Sequence, residues 1–147
     1  MKALILAGAD DKSPLAKYAS NKALIKINGK EMIRYIIEAF KGLDLVETVA
    51  VVGPRESLQV IEDQVDVIVD SRASMADNVL SGVDMFSDDE MILISTADIP
   101  MITPEAIKDF VEKALAMDAD FYYPIVSKEE NESLHPWPGP FPQSPLW

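Results

Sequence analysis

The sequence predicts an α/β domain: a doubly wound, mostly parallel sheet with helices on both faces. Strand-like and helix-like segments alternate along the first 126 residues. The strands are near-continuous apolar runs rather than half-polar alternations, as expected for strands covered on both faces. At 147 residues the chain has the length of a single domain with a real core.

The elements follow in order. Lys2–Ala7 is an apolar run that stops at Gly8 and predicts a buried strand. Residues 30–41 predict a helix, because Ile33, Ile36, Ile37 and Phe40 fall at i, i+3, i+4 and i+7. Gly42 follows where a C-terminal cap is expected. Residues 46–52 predict a second strand closed by Gly53-Pro54, and residues 57–64 a short helix carrying Leu58 and Ile61. Residues 65–69 predict a third strand ending at Asp70. A helix is expected over residues 74–86, on the spacing of Met75, Val79, Val83 and Phe86. Residues 91–95 predict a fourth strand that runs into Thr96-Ala97-Asp98-Ile99-Pro100. Thr103-Pro104-Glu105 combines a hydroxyl cap, proline at the first helical position and an acid in the first turn. Residues 121–126 predict a fifth strand.

The pattern then breaks. After the charged stretch 128–132, five of the ten prolines (Pro136, Pro138, Pro140, Pro142 and Pro145) fall close together, flanked by both tryptophans, Trp137 and Trp147. Proline at this density excludes helix and central strand, so 128–147 is expected to be a charged, then proline-rich irregular tail beside a domain of residues 1–127.

Composition excludes several functions. The formal net charge of -12 disfavours nucleic acid and anionic membrane as partners. With no cysteine there is no thiol nucleophile, disulfide or zinc-thiolate site, and the one histidine, His135, lies in the tail. No apolar run approaches the roughly 20 residues of a membrane span, and the N-terminus lacks the pattern of a signal peptide, so a cytoplasmic location is expected.

Parallel α/β sheets bind ligands at the carboxyl ends of their strands. Those ends are expected at Gly8, Gly53, Asp70, Asp98 and Ser127. A strand ending in glycine, followed by a polar loop and a lysine, offers backbone amides and one cation to a phosphate. Residues 6–9 (Leu-Ala-Gly-Ala), 21–24 (Asn-Lys-Ala-Leu), 28–33 (Asn-Gly-Lys-Glu-Met-Ile) and 97–100 (Ala-Asp-Ile-Pro) supply that pattern. Together they resemble the nucleotidyltransferases of the molybdenum-cofactor guanylyltransferase and sugar-nucleotide pyrophosphorylase superfamily. That family has Leu-Ala-Gly-Gly after its first strand, a Pro-Lys pair, then Gly-Lys-Pro-Met, and later Gly-Asp-x-Pro.

The resemblance implies a Mg²⁺-dependent enzyme that transfers a nucleoside monophosphate from a triphosphate to a phosphorylated or sugar-like acceptor, releasing pyrophosphate. By the same resemblance Leu6, Ala7 and Gly8 border the base, Lys22 places its ammonium on the phosphates and Asp98 holds Mg²⁺. Ser74 and Asn78 fall where family members touch the base. The chain departs from the pattern at Ala9, at Asp10 and Asp11 in place of an arginine-containing loop, and at Asn21, where the family has proline. The family's continuation past the fifth strand is replaced by the tail. A truncated or frame-shifted member is therefore expected, carrying the nucleotide half of the site, with a non-catalytic nucleotide-binding remnant as one alternative. A phospho-acceptor receiver domain is the other, built on Asp10, Asp11, Asp70, Thr96 and Lys128.

Overall fold

A computed structural model describes residues 1–8, 17–87 and 90–134. It divides into two compact units, Met1–Val111 and the residues from Glu112 onward. The loop acids Asp10 and Asp11, Ala9 and the proline-rich segment lie outside the described residues.

The first unit is built on strands β1 (Lys2–Leu6), β4 (Thr48–Gly53), β5 (Val67–Asp70) and β6 (Ile92–Thr96), all parallel, in the order β5-β4-β1-β6. Because β1 lies between β4 and β6, the direction of winding reverses there. The alternating side chains divide the core. Ala3, Ile5, Ala7, Val49, Val51 and Ile68 share one cluster with the apolar faces of α1 (Met32–Lys41) and α4 (Pro104–Leu115). Leu4, Ala50 and Val52 form the other, against Val83 and Phe86 at the end of α3 (Met75–Val83). Helices thus cover both faces, as the apolar strands require. Gly82 lets α3 approach the sheet: a Cβ there would lie 2.6 Å from both methyls of Leu4.

Several predicted boundaries move. The segment 57–64 starts earlier, as α2 (Arg55–Leu58), and continues as a 3₁₀ helix over Gln59–Gln64. Helix α1 begins at Met32 rather than residue 30, because Lys30 belongs to a small hairpin of β2 (Lys26–Ile27) and β3 (Lys30–Glu31). Its turn is Asn28-Gly29 with φ of 51° and 82°, the left-handed pair that a tight antiparallel turn demands.

The expected fifth strand does not form. Residues 121–126 take no strand pairing, and Phe121, Tyr123 and Ile125 are each more than two-thirds exposed. An apolar run is a strand only if a neighbour accepts its backbone, and Pro124 removes one donor from the ladder.

In the second unit the Tyr122 hydroxyl donates to the Met117 carbonyl at 2.8 Å and accepts from the Ala119 amide at 3.1 Å. Helix α5 (Lys128–Leu134) then occupies the start of the expected irregular tail. Ser127 explains it: its hydroxyl accepts from the Glu130 amide and donates to the Glu130 carboxylate, both at 3.1 Å, a reciprocal cap on a short charged helix.

Candidate functional site at the carboxyl ends of the strands

The reversal of strand order sets the carboxyl ends of β1 and β6 side by side, at the place where open α/β sheets bind their ligands. Leu6 and Thr96 are register partners at that end. The ladder runs on one step: the Ala7 amide donates to the Val52 carbonyl at 2.7 Å, and the Ala97 amide to the Leu6 carbonyl at 3.0 Å. Ala7 and Ala97 are buried, so the backbone leading into Gly8 and Asp98 is fixed from both sides.

Lys22 arrives on a 3₁₀ turn, Lys22–Leu24. Its Nζ lies 2.8 Å from Asp98 Oδ2, joining two residues 76 positions apart in sequence. The lysine side chain is 35% exposed and the aspartate 39%. Ion pairs this open contribute only about 0–1 kcal/mol, so the pair is cheap to separate, and stability alone does not account for it. The Lys22 hydrogen bond, and after it one from Thr96, hold the Asp98 carboxyl below the ordinary aspartate range despite partial burial. Asp98 is therefore an anion over the whole neutral range, and the strand ends bring the Lys22 cation against it.

Asn21 was legible in the sequence only as a replacement for proline. Its side chain is buried and held at both ends: Nδ2 donates to the Ala7 carbonyl at 2.8 Å, and Oδ1 accepts from the Ala23 amide at 3.0 Å. One residue thus ties the end of β1 to the turn that carries Lys22. An Asn ahead of a short turn is a capping signal, but the bond to Ala7 is tertiary and leaves no trace in local sequence.

The remaining expected residues divide. Asn78 comes beside Gly8, whose added Cβ would stand 3.5 Å from Asn78 Nδ2, while Asn78 Oδ1 accepts from the Arg72 amide. Ser74 is exposed, and its hydroxyl caps α3, accepting from the Asp77 amide at 3.1 Å and donating to the Asp77 carboxylate at 2.7 Å. A shallow depression lined by Ile37, Glu38, Lys41 and Asp63 contains none of the expected residues.

The donor set bears on a metal. Among the described residues no three His, Cys, Asp or Glu side chains cluster, so a cage made wholly of protein is absent there. A single ionised carboxylate at a strand end fits Mg²⁺ delivered with phosphates, since that ion keeps several waters and takes one or two carboxylates.

The receiver alternative fails on topology. In that fold the phospho-acceptor strand is next to the first strand, in the order 2-1-3-4-5. Here β4 separates Asp70 on β5 from β1, a displacement of about 10 Å at the usual strand spacing. Asp70 instead accepts from the Arg55 amide at 3.0 Å, and Thr96 serves Asp98.

Residues 3–141 match the family model described as MobA-like NTP transferase domain. Among curated proteins, the chain is 30% identical over 123 residues to the bifunctional protein GlmU of Thermosipho melanesiensis, covering 82% of this chain and 26% of that one. It is 27% identical over 115 residues to a protein named "Probable molybdenum cofactor guanylyltransferase" from Thermococcus sibiricus, covering 77% of this chain and 55% of that one. The chain thus spans about a quarter of the first relative's length and about half of the second's. A hypothetical transferase structure from Thermus thermophilus superposes with a TM-score of 0.77 at 26% identity, over 92% of this chain and 55% of that one. A CMP:2-keto-3-deoxy-manno-octonic acid synthetase in complex with CTP shares the fold, with a TM-score of 0.63 at 21% identity over 81% of this chain and 49% of that one.

Proposed function

The chain belongs to the family of MobA-like NTP transferase domains, and from that premise we propose that its strand-end crevice binds a nucleoside triphosphate with Mg²⁺ for transfer of the nucleoside monophosphate to a phosphorylated or sugar-like acceptor, with release of pyrophosphate. The observation that carries the reading is the Lys22–Asp98 pair at the point where strand order reverses.

The chemistry is mostly positioning and charge neutralisation. In nucleotidyl transfer an anionic oxygen attacks the α-phosphorus, a P–O bond forms there, and the bond to the pyrophosphate oxygen breaks. A phosphate nucleophile is already ionised near neutral pH, so a general base is not required of the protein. Its tasks are to hold the triphosphate in line and to offset negative charge on it. In a chain of net charge -12, a triphosphate needs a local cation, and Lys22 supplies it at the crevice. The backbone of Leu6, Ala7 and Gly8, held by the β1 ladder and by Asn21, gives the base a rigid border. Asn78, next to Gly8, is a second polar group on that border. Asp98 is the residue that would hold Mg²⁺, which supplies further neutralisation of phosphate charge when bound.

The ion pair also suits loading. When a triphosphate attracts Lys22, the separated Asp98 is an uncompensated carboxylate, available to a metal that arrives with the nucleotide. The test is a thermal-shift panel of ATP, GTP, CTP and UTP, each with and without Mg²⁺. At least one nucleotide should raise the melting temperature, more strongly with Mg²⁺. Failure of all four would remove the reading.

A further inference from the structure

We infer that Asn21 is a positioning residue for Lys22: among the described residues its side chain holds the end of β1 and the turn of the phosphate-binding lysine in register. The inference rests on the proposed role of Lys22 and adds a residue that the family pattern does not supply, since the family has proline there.

Two bonds carry it. The first, from Nδ2 to the Ala7 carbonyl at 2.8 Å, reaches the residue just before Gly8. The second, from the Ala23 amide to Oδ1 at 3.0 Å, closes the turn that begins at Lys22. Asn21 is 1% exposed, so no water competes for either bond. An amide is suited to this place because it offers a donor and an acceptor on one planar group. Serine or aspartate can cap the turn, but neither donates a second bond to Ala7 in the same pose.

Proline could not take over without rebuilding the turn. Asn21 has φ of -136°, far from the roughly -65° to which proline is locked. The chain therefore reaches the lysine by a different backbone path, and a hydrogen-bonded tether replaces conformational restriction. Lys22 itself is more than a third exposed and reaches Asp98 by a flexible stem. Its aim depends on where its Cα is held, and Asn21 holds it.

The test is a double-mutant cycle on binding of the Mg²⁺ complexes of ATP, GTP, CTP and UTP, measured by calorimetry on the parent, Asn21→Ser, Lys22→Gln and the double variant. Asn21→Ser keeps a cap and removes the tether, and should weaken the best-bound nucleotide by about tenfold. In the Lys22→Gln background the same change should matter by less than about twofold, because the group being aimed is gone. Equal losses in both backgrounds, or no loss in the first, would overturn the inference and leave the proposed function intact. Binding of none of the four nucleotides by the parent would overturn both.

Should Asn21→Ser fail to fold, the unaltered protein gives a second readout. The Asn21 side-chain amide protons, followed by NMR, should be slow to exchange and should shift on saturation with the same nucleotide. Fast exchange, or resonances indifferent to nucleotide, would contradict the inference.

Discussion

Lys22 and Asp98, 76 residues apart, meet at 2.8 Å because the turn carrying the lysine is fastened to the end of β1 while the aspartate follows the neighbouring strand β6. The pair stands where a doubly wound sheet opens its ligand crevice. It is open enough to be exchanged, and its parts have the charges that a metal-bound triphosphate needs.

Separating the pair should cost little in the absence of ligand. Lys22→Gln and Asp98→Asn should each change unfolding stability by less than about 1 kcal/mol, because both side chains are more than a third exposed. Urea unfolding of the two variants checks this, and a loss of several kcal/mol would mean that the pair is structural.

The depressed Asp98 titration has a defined sign. A carboxyl whose folded pKa lies below its unfolded value stabilises the protein above the unfolded pKa, and that contribution is lost as pH falls through the folded one. The Lys22 hydrogen bond is the largest cause of the depression, ahead of Thr96. In Lys22→Gln the Asp98 carboxyl should titrate at higher pH than in the parent. Carboxyl carbon shifts followed by NMR from pH 7 downward measure the displacement; an unchanged midpoint would contradict the assignment.

Gly53 should resist substitution. A Cβ there would stand 2.6 Å from the Ala7 carbonyl oxygen and 2.7 Å from Leu58 Cδ1. The oxygen belongs to backbone that also accepts from Asn21, so it cannot retreat without disturbing the Lys22 turn. Gly53→Ala should lose about 1–3 kcal/mol of stability, as overpacking usually does, with nucleotide binding weakened as well. Denaturant unfolding paired with nucleotide titration tests both parts.

Replacing Asn21 by the family's proline should destabilise the fold. The change removes both side-chain bonds, leaves the buried Ala7 carbonyl without its Asn21 donor and forces φ away from -136°. A loss of at least about 1–3 kcal/mol is expected from the orphaned carbonyl alone. A melting temperature equal to or above the parent's would show that the turn accepts the family's backbone path.

Much of the fold was legible because it is written in local periodicity. Ile33, Ile36, Ile37 and Phe40 mark α1, and all four are buried. The apolar runs of β1 and β4 mark strands covered on both sides. Where the outcome depends on a partner, local pattern misleads: residues 121–126 read as a strand and pair with nothing among the described residues. Helix α5 was signalled by Ser127 and Glu130, three residues apart, but the charge of the segment obscured the cap.

The site was legible only in part. Gly8, Lys22 and Asp98 were singled out through resemblance, and the meeting of Lys22 with Asp98 across 76 residues carries no local signal. Asn21 was noticed for what it replaces, whereas its bond to Ala7 exists only once β1 and the following turn have come together. Ser74 illustrates the converse, a residue in the expected register whose hydroxyl is occupied by capping α3.

The most direct measurement is calorimetric titration of the best-bound Mg²⁺–nucleoside triphosphate into the parent, Lys22→Gln and Asp98→Asn. The parent should bind, and each variant should bind at least about tenfold more weakly while remaining folded, because each loses a charged group proposed to face the phosphates or their metal. Variants that bind as tightly as the parent would place the nucleotide elsewhere and contradict the account.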